Sequence, residues 1–178
     1  LKLLFARIGR TYSPVSGNEV KIHYVGDVVD YISGLAEGTR ILVTAPLRLS
    51  GGQGVIERLT LLVSEGFQRV WVSGKVVEIS DFLPEATAKT DPEEVKIVVD
   101  RAKVRHGDEE LVSRLGDSVE KAFSYGKGAC EVIIDEPTGE GTPNAEVSAV
   151  ERFSNRFEAD GMEFEQPTEH LFSFNNPI

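Results

Sequence analysis

The stretch that most restricts the fold of this chain is FQRVWVSGKVVEIS, residues 67–80. Two valine-rich runs flank Ser73 and Gly74, and a two-residue connection ending in glycine is a strong signal for a tight turn between antiparallel strands. The sequence therefore predicts a β-hairpin here. A lone hairpin is only marginally stable in water, so the rest of the chain has to supply further strands and packed helices.

The remaining apolar segments carry either helical or strand periodicity. Apolar residues at helical spacing predict helices over residues 1–9, 25–35, 55–66 and 108–126. Apolar runs of strand length predict strands over 39–47, 94–105 and 129–135, with further strands or extended chain over 147–154 and 162–174. Residues 81–94 and 136–146 are predicted loops. The sum is an α+β fold, with helices packed on a mixed or antiparallel sheet.

Composition limits the function classes that need to be considered. The chain is 40% hydrophobic, yet no apolar run approaches the roughly 20 residues that span a bilayer, and the opening LKLLFARIGR lacks signal-peptide features. We therefore expect no membrane partner and a cytoplasmic location. A net charge of −10 argues against non-specific nucleic-acid binding, and the single cysteine excludes an internal disulfide. The missing initiator Met and the ending LFSFNNPI predict an excised fragment.

Two stretches resemble parts of a nucleotide site. Leu49–Gln53 spells LSGGQ, the signature that ABC-type ATPases place on the γ-phosphate, and Asp135–Thr138 spells DEPT, which echoes their magnesium and catalytic carboxylates. One hypothesis is therefore a nucleotide-binding ATPase fragment that uses the SGGQ and DEPT stretches. No phosphate-binding loop of the G-x-x-x-x-G-K-[ST] type is present, and several predicted elements separate the two stretches. The simpler interpretation is a connection into a helix that starts at Val55 and a strand that runs into a turn.

Other reactive side chains give no catalytic pattern. The three histidines, His23, His106 and His170, are scattered and none has a partner four residues on. Cys130 begins an apolar strand, where a buried cysteine acts as a small hydrophobic residue. We therefore predict neither a metal site nor a thiol nucleophile.

Four residues on predicted strands are better candidates for binding a partner. Period-two alternation places Arg69 and Trp71 on one face of their strand, and likewise groups Arg101 with Lys103. A solvated sheet face would explain them. The functional interpretation is a docking face, because arginine and tryptophan are over-represented among interface residues that carry binding energy.

The order of several segments resembles one family. LKLLFARIGR, EGTRILVTAPL, EGFQRVWVSGKVVEI, LVSRLGDSVEKAFSYGKG and above all QPTEHLFSFNNP are similar to the middle of the first ATPase half of UvrA, the damage sensor of bacterial nucleotide excision repair. The resemblance covers essentially the whole chain. It implies a UvrB-binding domain over residues 24–152, inserted into a signature domain whose pieces are residues 1–23 and 153–178, the second of them truncated.

The resemblance also implies a partner and a set of site residues. In the family, two arginines on the sheet of this domain meet acidic groups of UvrB, and Arg69 and Arg101 match them; Trp71 and Lys103 are the neighbouring candidates. ATP, magnesium and zinc are implied for the full-length parent, which binds DNA and is expected to be a homodimer. No cofactor is expected in this fragment, and because it lacks a phosphate-binding loop it is not expected to be an enzyme.

Two places depart from the family pattern. Ser13–Ser16 and the segment RFEADG, residues 156–161, stand where many members carry Cys-Pro pairs, of which the second helps to hold zinc. Neither pair of thiol ligands is present. We therefore expect this module to hold no metal, with the turn around Asp160 and Gly161 closing what zinc closes elsewhere.

Overall fold

The computed structural model describes residues 11–12, 14, 19–87, 89–134, 149–156, 158–159 and 162–163. The predicted helix over 1–9, the loop over 136–146, His170 and the turn at Asp160–Gly161 lie outside these residues. The chain divides into two compact units, one of Tyr24–Phe153 and one of Leu1–His23 with Ser154–Ile178.

The elements, in chain order, are β1 (Thr11–Tyr12), β2 (Glu19–Val20), α1 (Val25–Ser33), β3 (Arg40–Pro46), α2 (Val55–Ser64), β4 (Arg69–Val72), β5 (Lys75–Glu78), α3 (Ile79–Phe82), β6 (Val95–Lys103), α4 (Glu109–Tyr125), β7 (Ala129–Ile134), β8 (Val150–Ser154), β9 (Glu158–Ala159) and β10 (Met162–Glu163). A 3-10 turn over Pro92–Glu94 precedes β6. In the unit that contains both termini, β1 pairs with β2 and β9 with β10, both antiparallel.

The larger unit is built on a six-stranded sheet with the order β5-β4-β6-β3-β7-β8. The pairs β4/β5, β4/β6, β3/β6 and β3/β7 are all antiparallel. The expected α+β class is confirmed, and of the two sheet types the antiparallel one is observed.

The hairpin is confirmed in its register and its turn. Val72 pairs with Lys75 across Ser73 and Gly74, whose φ angles of +50° and +81° are both positive, as a type I′ turn requires. The second strand is shorter than predicted, because α3 begins at Ile79. The Ile79 side chain is fully buried in the core and its amide donates to the Gln68 carbonyl at 2.8 Å, which starts a helix where the sequence predicted strand and loop.

The main core lies on the face of the sheet that the helices cover. Asp108 caps the start of α4, since its carboxylate accepts a hydrogen bond from the Leu111 amide at 2.9 Å, and the helix buries Leu115 and Val119. α1 and α2 add apolar side chains such as Ile32 and Leu59 to the same core. Burying side chains of this size stabilises the fold by about 1.5–3 kcal/mol each, and this burial holds the helices on this face of the sheet.

Candidate partner-binding surface

We call the opposite side of the sheet the open face, because every described apolar residue packed there comes from a strand. Its centre is Leu42, Val98 and Ile133, with Trp71 and Val76 beside them. Strand pairing sets which side each residue takes. Trp71 lies directly opposite Val76 in β5, and residues that are directly opposite in an antiparallel pair lie on the same face of the sheet.

The open face carries more positive than negative side chains, although the whole chain has a net charge of −10. Strand alternation and register place the following charged residues there: Arg40, Arg69, Glu78, Lys96, Arg101, Lys103, Glu131 and Arg152. Six of these eight are Lys or Arg. The local field of this face therefore favours acidic partners.

A buried ion pair lies in the middle of the open face. Lys96 Nζ contacts the Glu131 carboxylate across β3, with only 9% and 10% of the two side chains exposed. Glu131 also accepts from Arg152 Nε at 3.2 Å, and Lys96 Nζ lies 5.2 Å from the centre of the Trp71 ring. This cation–π contact, together with the ion pair, holds the indole in place on the surface.

A cleft of about 340 Å³ opens where β4 and β6 stop pairing. β4 pairs with β6 only over Val70–Val72, and Val99 is an extra residue in β6 relative to β3, a bulge of the kind that bends a strand. Arg69 precedes the paired part of β4 and Arg101 follows the bulge. Both therefore line the same cleft, together with Lys121 of α4.

The charges in this Arg69–Arg101 cleft are only partly compensated. Arg69 Nη2 lies 3.9 Å from Glu78 Oε1, a loose cross-strand pair, and the Arg101 guanidinium forms no ion pair with another described residue. Asp100 is the one carboxylate among the described lining residues. It is already engaged, since it accepts from the Arg101 amide at 2.7 Å and from Ser118 Oγ at 3.1 Å. The cleft can therefore accept carboxylates from outside.

The structure groups the four candidate residues only in part. The prediction that Arg69 and Trp71 share a face is confirmed by the pairing with Glu78 and Val76, and Arg101 and Lys103 share that face opposite Leu42 and Arg40. Arg69 and Arg101 meet in the cleft. Trp71 and Lys103 lie on the same face outside it.

Sequence reasoning missed Lys121, Lys96 and Glu131. Lys121 is on the polar side of an amphipathic helix, where a solvated lysine is the ordinary expectation. Lys96 and Glu131 lie in strands far apart in sequence, and nothing local indicates that they pair. Alternation with Val98 predicts that Lys96 lies on the open face, but it does not predict that Lys96 is buried there.

The SGGQ stretch forms a turn at a separate place. The Gln53 amide donates to the Ser50 carbonyl at 2.9 Å, and Lys127 Nζ donates to Ser50 Oγ at 3.0 Å. α2 starts at Val55, as predicted. The turn lines a cavity of about 710 Å³ that also contains Arg48 and Arg58. The DEPT stretch lies outside the described residues.

Cys130 is buried as predicted. It is fully excluded from solvent, and burial, with a smaller effect from the neighbouring Glu131 carboxylate, raises the pKa of its thiol to about 12. A thiol in this state is a poor nucleophile. In the part of the chain that the structure describes, no three His, Cys, Asp or Glu side chains are grouped as metal ligands, and no helix is long and apolar enough to cross a membrane.

Fold and surface together define an α+β domain with one helix-covered sheet face and one basic face that carries an exposed cleft. Residues 24–136 match the family model described as the UvrA interaction domain, so the chain belongs to that family.

Three relatives, all named UvrABC system protein A, are similar over the whole chain. Those of Mesorhizobium japonicum, Agrobacterium fabrum and Rickettsia bellii are 37%, 35% and 33% identical over 190, 191 and 183 residues. The alignments cover 100% of this chain but only 19%, 19% and 18% of the three relatives. The chain thus spans about one fifth of their length.

Proposed function

We propose that this chain is the part of a UvrA-type protein that docks UvrB, and that the open face is the docking surface. The observation that carries the proposal is the Arg69–Arg101 cleft, where cations from two strands and a helix meet with one engaged carboxylate. The family model supports a protein-interaction role. In this proposal the parent uses ATP and magnesium to load UvrB at DNA lesions during nucleotide excision repair, and this chain provides the surface that binds UvrB.

The chemistry of the cleft suits a partner that must later be released. Exposed ion pairs contribute only about 0–1 kcal/mol each, whereas truncating one side of a desolvated pair costs about 2–5 kcal/mol. Arg69 is half-exposed and Arg101 is exposed, so UvrB carboxylates would partly desolvate them on binding. The affinity should therefore fall as salt is raised.

The remaining parts of the proposal concern the parent. DNA contact, zinc, the homodimer and a cytoplasmic location belong to the full-length protein, and the docking role of this chain requires no cofactor. The domain limits of 1–23, 24–152 and 153–178 are part of the same proposal.

Charge reversal tests the docking surface. We expect Arg69→Glu and Arg101→Glu each to weaken UvrB binding, measured by calorimetric titration, at least tenfold, because each replaces attraction of an acidic partner with repulsion. The matched control is Arg48→Glu, which reverses another exposed arginine away from the open face. If both cleft variants keep their circular dichroism spectrum and bind like the unchanged chain, UvrB does not dock here.

One observation favours a nucleotide site instead, namely that Gly51, Gly52 and Gln53 line the larger cavity together with three cations. An ATP site needs backbone amides and a lysine that cradle the β- and γ-phosphates, and the sequence has no such loop. The docking proposal predicts no specific heat of binding when ATP and magnesium are titrated into the chain. Saturable micromolar binding that Lys127→Ala removes would support the nucleotide site.

A further inference from the structure

The carboxyl-terminal half of β6 has a free edge. On one side, residues 100–103 pair with Arg40–Val43 of β3. On the other side β4 pairs only as far as Ile97, and no other described strand continues along β6. Residues 100–103 therefore present one unpaired edge, of the kind that can accept a further strand.

The backbone groups on this edge belong to Arg101 and Lys103. The Val104 amide donates to the Thr39 carbonyl at 2.8 Å and the Val104 carbonyl accepts from the Gly38 amide at 2.9 Å, so both main-chain groups of Val104 face the β3 side. In an antiparallel ladder this direction alternates from residue to residue, so Ala102 also faces β3 while Arg101 and Lys103 direct their N–H and C=O groups away from it. The Arg101 amide accordingly bonds to the Asp100 carboxylate, at 2.7 Å, rather than to β3.

Two clefts follow this edge and share Arg101 as a common wall. The first is the Arg69–Arg101 cleft. The second, of about 320 Å³, lies between β6 and the start of α4. Its lining has four cations, Arg101, Lys103, Arg105 and Arg114, against two carboxylates, Asp108 and Glu110, with Leu111 as an apolar wall. Arg105 and Arg114 form loose pairs with Asp108 and Asp100 at 3.9 and 3.5 Å. Positive side chains therefore outnumber negative ones in both clefts along the edge.

We propose that the partner docks by adding an extended acidic segment as a strand along the free edge of β6. Main-chain hydrogen bonds to the Arg101 carbonyl and to the N–H and carbonyl of Lys103 would give register, and alternate acidic side chains would occupy the two clefts. This inference rests on the proposed UvrB function and deepens it, since it specifies an acidic, extended UvrB segment, gives the Lys103 main chain a role and adds Arg105 and Arg114 to the contact.

The edge favours a peptide over a nucleic acid. Asp100 already accepts from the Arg101 N–H, which leaves the Lys103 N–H and the carbonyls of Arg101 and Lys103 for a partner. A peptide backbone satisfies both kinds of group, whereas phosphates only accept hydrogen bonds. The net charge of −10 also opposes phosphate backbones at long range.

The test separates the Lys103 backbone from its side chain. Lys103→Ala removes the charged side chain beyond Cβ and keeps the main-chain N–H, whereas Lys103→Pro also removes the outward N–H, a change that an edge strand tolerates when that amide faces solvent. We expect UvrB to bind the Pro variant at least tenfold more weakly than the Ala variant. Amide hydrogen exchange in the unchanged chain gives an independent measurement, and we expect the Lys103 amide to exchange at least tenfold more slowly in the UvrB complex.

The outcomes distinguish the two proposals. If UvrB binds through Arg69 and Arg101, but the two Lys103 variants bind equally and the Lys103 amide exchanges at an unchanged rate, strand addition is wrong and docking stands. If the Pro variant does not fold, the exchange measurement alone decides. If the Arg69 and Arg101 charge reversals have no effect, the docking proposal itself is wrong. Protection of Lys103 by a DNA oligonucleotide, without protection by UvrB, would overturn strand addition by UvrB and assign the edge to nucleic acid instead.

Discussion

Replacing Lys96 by methionine tests whether the buried ion pair of the open face is a structural unit. Methionine keeps most of the aliphatic volume of lysine and removes the charge. The Glu131 carboxylate would then remain buried, with Arg152 as its charged partner at 3.2 Å. Its second partner, Lys96 Nζ, would be gone.

The magnitude follows from the burial of the two side chains. Breaking a buried pair by removing one partner costs about 3–5 kcal/mol, because an uncompensated charge stays in a poorly hydrated place. Arg152 is 77% exposed and compensates Glu131 only weakly, so we expect Lys96→Met to cost about 3 kcal/mol. Glu131→Leu leaves Lys96 without its carboxylate and should cost about as much. Replacing a whole buried pair by apolar residues is often close to neutral, so the double variant should lose only about 1 kcal/mol.

Urea unfolding followed by circular dichroism measures these changes as free energies of unfolding, and equal slopes with denaturant confirm that the states compared are the same. The expected coupling between the two sites is then about 5 kcal/mol, the sum of the single losses minus the loss in the double variant. If Lys96→Met costs less than about 1 kcal/mol, or if the double variant costs the sum of the two single ones, Lys96 and Glu131 do not act as a buried unit.

Two further predictions concern the end of α4 and the strand after it. A Cβ at Gly126 would lie 2.0 Å from the Ala129 carbonyl oxygen, so Gly126→Ala should lower the free energy of unfolding by about 2 kcal/mol or more; Gly116→Ala, where a Cβ meets nothing within 4 Å, is the matched control and should not destabilise. For Cys130, the folded pKa of about 12 lies above the ordinary value of 9.0, so folding favours the thiol. This contribution is complete below pH 9 and is lost as the pH rises towards 12, at about 1.4 kcal/mol per pH unit. Urea titrations at several pH values should show this additional fall in the free energy of unfolding for the unchanged chain and not for Cys130→Ala. Parallel pH profiles of the two proteins would contradict the prediction.

Local patterns were sufficient for the parts of the fold that depend on near neighbours in sequence. The turn at Ser73–Gly74 could be predicted because only a few residue pairs tolerate two positive φ angles in succession. The extent of the hairpin could not, because the helix at Ile79 depends on a core contact made by distant residues. The sequence likewise left a mixed and an antiparallel sheet as alternatives, and only the observed order and pairing of the strands decided between them.

The candidate site divides in the same way. Period-two alternation alone places Arg69 with Trp71 and Arg101 with Lys103 on common faces, because successive side chains of a strand point to opposite sides. For each strand taken singly, the sequence therefore gives which side chains lie on each of its two faces, and whether a face is basic or apolar.

Only the tertiary structure brings those faces together. Arg69 and Arg101 line one cleft because β4 lies beside β6 and β6 bends at the Val99 bulge, and Lys96 reaches Glu131 because β3 separates their strands. Strand order is determined by the total free energy of the packed core, to which residues far apart in sequence contribute together. The sequence by itself therefore determines which side of a strand each candidate residue occupies, and the packing of the strands decides which of them meet.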